Sequence, residues 1–142
     1  MNPKTEALKA RTKKFALDVL EFVDTLPTRG SAVRVGWQLT DAATSVGANY
    51  RAACRARSDA EFASKIGLVL EESDESLFWL ELCTERPLGE PTVRNRLLAE
   101  ADELTRIFAA SANTARNRID RKSQNLKISK SQSEISNLKS EI

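Results

Sequence analysis

Residues 41–62 read DAATSVGANYRAACRARSDAEF, and the fold turns on how this stretch is laid out. Small side chains dominate its first half, and Arg51, Arg55 and Arg57 crowd its end. On a helix ending near Cys54, Leu39, Ala43, Val46, Tyr50 and Ala53 recur at intervals of three and four and form one inward stripe. Trp37, Ala48, Arg51 and Arg55 fall on roughly the opposite side, with Arg34 nearby. Small residues let another backbone approach, and guanidinium groups seek anions. The helix then breaks. Ser58, with Glu61 three residues on, has the form of a capping box that opens the next helix.

Working outward, the same periodicity recurs three more times. Leu8, Phe15, Val19, Phe22 and Leu26 share one stripe and predict a first helix over about residues 4–26, stopped by Pro27. The second helix begins near Ser31 or Ala32, after a Thr28–Gly30 turn, and contains Gly36 and Gly47. Gly47 and Asn49 sit at the border of its stripe, where close packing offsets the weak helix propensity of glycine. The third helix spans about residues 59–85, with Phe62, Ile66, Val69, Leu70, Ser73, Leu77 and Leu80 as its core stripe. Leu68, Trp79 and Leu82 lie on its far side, among Glu71, Glu72 and Glu75. A helix apolar on two sides must be covered on two sides, and a partner subunit is an economical second cover.

A turn with Pro87 and Gly89 follows, and Pro91 suits a first helical position. A fourth helix then runs to about Arg116, with Val93, Leu97, Ala101, Leu104, Phe108, Ser111 and Ala115 inward. Short connections imply antiparallel neighbours. The expected fold is therefore all-α: an up-down-up-down four-helix bundle over residues 1–116. Residues 117–142 turn rich in Ser, Lys and Asn and read as a mobile C-terminal tail, helical at most in pieces. Within it Ile128, Ile135 and Ile142 stand seven apart, with Leu138 between, a pattern short of a full coiled coil.

Composition narrows the functions. The chain has no histidine, which removes Ser–His–Asp and Cys–His machinery, His-ligated zinc and the Glu-x-x-His motif of di-iron bundles. With no Gly-rich phosphate loop either, no catalytic residue, metal site or cofactor is expected, and the protein is read as a non-enzyme. The acidic run Glu71, Glu72, Asp74, Glu75 is read as a solvated or ion-paired face rather than a ligand set. Cys54 and Cys83 lack metal-like spacing and read as small hydrophobes in a reducing compartment. No apolar run is long enough for a membrane span, and the polar start does not resemble a signal peptide, so the expected location is the cytoplasm.

The net charge of +2 conceals a segregation. Residues 1–57 carry ten basic and five acidic groups, residues 58–85 one and eight, and residues 86–142 eleven and seven. Such blocks suit helices that neutralise one another within a chain or between copies. Arg34, Arg51, Arg55 and Arg57 are the candidate nucleic-acid contacts, with salt bridging to the acidic third helix as the competing use. Trp37, Ala48, Leu68, Glu75, Trp79 and Leu82 are the candidate oligomer interface.

The run TSVGANYRAACRARSDAEFASKIGLVLEESDESLFWLELCTE resembles the core signature of a bacterial four-helix-bundle family encoded in intervening sequences of 23S ribosomal RNA genes. RTKKFALDVLEFVDTLP upstream and EADELTRIFAAS downstream are similar in style, so the resemblance spans about residues 8–116. It implies a small antiparallel bundle that assembles as a homopentamer and has no established enzymatic activity. A relative is the accessory protein of diversity-generating retroelements, which implies reverse transcriptase and RNA or DNA as partners. Asn49, Arg51, Arg55 and Arg57 are the positions that map to the family motif.

Overall fold

Each helix in the computed structural model, which describes residues 2–141, starts at a residue whose chemistry matches the place. Asn2 accepts the Lys4 amide at 2.9 Å, and Pro3 opens α1 (Pro3–Asp24). Gly30, at φ 70° and ψ −151°, precedes α2 (Ser31–Ala53) in a conformation that favours glycine. Ser58 accepts the Glu61 amide at 3.1 Å ahead of α3 (Asp59–Glu85). Glu61 reaches back to the Arg57 amide at 2.9 Å, so the reciprocal cap expected from sequence forms, displaced by one residue on its return bond. Glu90 holds the Thr92 and Val93 amides at 2.9 and 2.8 Å and launches α4 (Pro91–Ser140), with Pro91 at its first position. These side chains satisfy amides that have no partner inside a helix.

Consecutive helices pack side by side, α1 on α2, α2 on α3 and α3 on α4, while α1 meets α4 along a thinner seam. The backbones of the diagonal pairs stay apart among the described residues, and side chains such as Tyr50 of α2 and Phe108 of α4 meet between them. Connections of about five residues allow this order only as an antiparallel up-down-up-down bundle. The stripes expected from sequence meet at its centre. Phe15, Val19, Phe22, Leu26, Leu39, Ala43, Val46, Tyr50, Ala53, Ile66, Val69, Leu80, Leu97, Ala101, Leu104 and Phe108 form one buried cluster. Leu8, Phe62, Leu70, Leu77 and Val93 pack on its margin. Truncating a fully enclosed member such as Leu104 removes apolar contact and leaves a cavity, a loss of about 2–5 kcal/mol.

Three features depart from the sequence expectation. First, the fourth helix does not stop near Arg116: α4 is unbroken to Ser140, roughly 75 Å of helix. Lys122 and Arg118 pair with Asp59 at the start of α3, which carries the helix past the expected boundary. Residues 120–141 are exposed throughout, and Ile142 of the seven-residue pattern lies outside the described residues. Second, Trp79 lies at the margin of the core rather than wholly outside it. It is half-buried against core hydrophobics, and its indole N–H donates to Glu75 at 3.3 Å. Third, Arg94 is buried, only 7% exposed; its guanidinium donates to the Leu88 carbonyl at 3.0 Å and so braces the α3–α4 turn.

Candidate functional site

α1 and α2 cross where neither has bulk. A Cβ on Gly47 meets the Thr12 carbonyl oxygen at 3.5 Å, so the two backbones run close together there. Beside the crossing, Ala10, Ala16, Thr44, Gly47 and Ala48 leave a cleft of about 540 Å³. Its rim is charged: Lys9 and Lys13 rise from α1, and Arg51 and Arg55 from the end of α2. Glu6 also lines the cleft and takes Lys9 in an ion pair at 3.1 Å. Among the described residues no carboxylate lies within 4.0 Å of Lys13, Arg51 or Arg55. Three uncompensated cations therefore stand around a small-residue floor, an arrangement suited to an extended polyanion backbone.

The structure separates the four arginines named from sequence. Arg51 and Arg55 share the cleft. Arg34 lies seventeen residues earlier on the same helix, about 25 Å away along the axis, and does not join them. Arg57 sits in the α2–α3 turn, in a separate hollow with Tyr50, Cys54, Asp59 and Arg118. Lys9 and Lys13 come to the site although the charge count of α1 alone does not single them out. The signal that finds them is the small-residue run of α2, which requires a second helix at that place. α1 offers small residues at Ala10 and Ala16 with the lysines between.

The acidic face lies on α3 and the neighbouring part of α2. Burial, then the charges of Glu75, Glu71 and Asp41, holds the Glu72 carboxyl above its ordinary range. None of Glu71, Glu72, Glu75 or Asp41 has a cation within 4.0 Å among the described residues. The arginines at the end of α2 are thus not bridged to α3 within the chain. On this face Leu68 is 42% and Phe78 49% exposed, with Phe78 edge-on to Trp79 at a centroid distance of 5.1 Å. Phe78 and not Trp79 is its projecting aromatic, and Leu82 is half-buried. Trp37 on α2 stands 72% exposed, and Ala48 opens into the basic cleft.

Tyr50 and Cys83 are silenced in the interior. Tyr50, packed on Phe108 at 5.3 Å, is pushed up to about 12 by burial and by its interaction with Cys54. The Cys83 thiol is likewise raised by burial. Both stay protonated near neutrality, and both cysteines are free. Among the described residues no three His, Cys, Asp or Glu side chains are grouped to hold a metal ion. Among the described residues no helix is long and apolar enough to cross a membrane.

The family model described as 23S rRNA-intervening sequence protein matches residues 6–110, most of the chain. The chain belongs to that family. A similar solved structure is a protein of unknown function from the S23 ribosomal protein family of Bacteroides thetaiotaomicron. It is 24% identical with a TM-score of 0.70, over 78% of this chain and 98% of the other. That likeness is one of fold. No curated protein matches the chain. The family match ends before the last thirty residues of α4, so the exposed extension lies outside the matched region.

Proposed function

We propose that this family member is a non-enzymatic, oligomeric bundle that binds nucleic acid, with the α1–α2 cleft as its contact surface. The observation that carries the reading is the set of uncompensated cations Lys13, Arg51 and Arg55 around a floor of small residues. Phosphate accepts bidentate hydrogen bonds from guanidinium, and a shallow small-residue floor admits a sugar-phosphate backbone. These cations are offered to phosphate, which every nucleotide carries alike. Binding is therefore sequence-independent, favours RNA or single strands weakly, and falls with salt as counterions are released. Repeated around an assembly, one modest cleft becomes multivalent, and avidity rises by about a hundredfold or more.

A second reading rests on the acidic face of α3. Its unpaired Glu71, Glu72 and Glu75, interleaved with Leu68 and Phe78, complement the basic cleft of a neighbouring copy. The double variant Arg51→Ala/Arg55→Ala separates the two, measured for assembly mass and for affinity to single-stranded RNA across a salt series. The nucleic-acid reading expects an intact assembly, weaker binding and a log–log salt slope reduced by about one per arginine. Loss of assembly assigns the arginines to subunit contact. Unchanged affinity in an intact assembly, or no binding by the parent protein at low salt, overturns the nucleic-acid reading.

A further inference from the structure

Beyond the Lys122–Asp59 pair, residues 123–140 continue α4 as an exposed helix, yet they are not uniformly polar. Ile128, Ile135 and Leu138 are 57%, 53% and 63% exposed and fall on one stripe at spacings of seven and three. Leu126, 72% exposed, lies on the opposite side and takes no part. Between residues 117 and 142 the chain also has six serines and several asparagines, residues of weak helix propensity. An isolated helix of this length and composition is marginal in water. The apolar stripe and the helical state are both accounted for by a second helix against the stripe.

We infer that this extension pairs with the same extension of a second copy, as a short parallel coiled coil in register. Setting Ile128 and Ile135 at heptad position a places Leu138 and Ser131 at d. Branched Ile at a with Leu at d is the combination that favours two parallel strands. The flanking charges agree. Glu134 then occupies g and Lys139 the following e, the positions that meet across a parallel pair, so each helix offers an acid to its partner's base. An antiparallel register that keeps the stripe inward sets Ile135 against Ser131 and loses the matched isoleucine layers. The inference rests on the extension alone and is independent of the basic cleft.

The test uses the full chain with Cys54→Ala, leaving the buried Cys83 as the remaining native thiol. Ser131→Cys introduces a thiol at d, and Ser133→Cys one at f on the outside of the pair. Facing d positions bring Cα atoms within the roughly 7 Å a disulfide spans, and f positions do not. Under mild oxidation the expected result is a disulfide-linked pair for Ser131→Cys and none for Ser133→Cys. Adding Ile135→Lys to the Ser131→Cys chain is expected to abolish the crosslink while thermal unfolding of the bundle stays unchanged. Equal crosslinking at both positions, or a Ser131→Cys crosslink that survives Ile135→Lys, overturns the proposal.

Discussion

Gly47 and Gly89 show how differently one residue type is used. Gly47 lies in helical backbone, and a methyl group there meets the Thr12 carbonyl at an ordinary contact distance of 3.5 Å. Gly47→Ala is therefore expected to stabilise the fold by up to about 1 kcal/mol through helix propensity. Gly89 sits at φ 78°, and a Cβ on it runs into the Phe22 ring. Gly89→Ala meets both an unfavourable backbone and a clash with the core, an expected loss of about 2–4 kcal/mol. Urea unfolding of the two variants reads both signs; a stabilised Gly89→Ala contradicts the close seating of the α3–α4 turn on Phe22. The close approach at Gly47 was legible in its border position on the stripe. The contact between Gly89 and Phe22 was not, because 67 residues separate them in sequence.

Among the elements, α4 depends most on a charged start. The Glu90 carboxylate accepts amide hydrogen bonds from Thr92 and then Val93, which hold it below its ordinary value of 4.5. A carboxyl depressed in the folded state stabilises that state above its unfolded pKa, and the contribution disappears as pH falls through the depressed value. Glu90→Ala is thus expected to lower Tm at pH 7. The gap to the parent protein should close as pH drops from about 4.5 toward 2. Calorimetry across that range checks it, and a gap independent of pH shows that ionisation of Glu90 is not what matters. The cap at Ser58 and Glu61 follows from spacing alone. The end of α4 does not: its tail composition signals weak intrinsic helix, while Asp59 on another element supplies the partners for Arg118 and Lys122.

Across the whole molecule, opposite charges occupy different sides. The basic cleft belongs to α1 and α2, and the acidic, partly apolar face to α3. In the proposed assembly a neighbouring copy covers Leu68 and Phe78 on the α3 face and leaves the basic cleft to nucleic acid. Light scattering is expected to give a mass several times that of the chain, and a monomer at micromolar concentration contradicts this. Phe78→Glu is the appropriate disruption, since Phe78 projects while Trp79 packs against the core. It should reduce the mass with helicity retained, whereas Trp79→Glu should also unsettle the bundle.

The amino-acid sequence by itself determined the four helices, their inward stripes, their order and the cap at Ser58 with Glu61. These are local properties: period, propensity and the reach of a side chain over three or four residues. Tertiary structure decided which charges share a place. It joined Lys13 to Arg51 and Arg55, separated Arg34 and Arg57 from them, and set Trp79 against the margin of the core while leaving Phe78 out. The reason is geometric. Periodicity gives each residue an angle around its own helix. Distances between helices depend on where they cross, and that is set by the small residues at the α1–α2 contact.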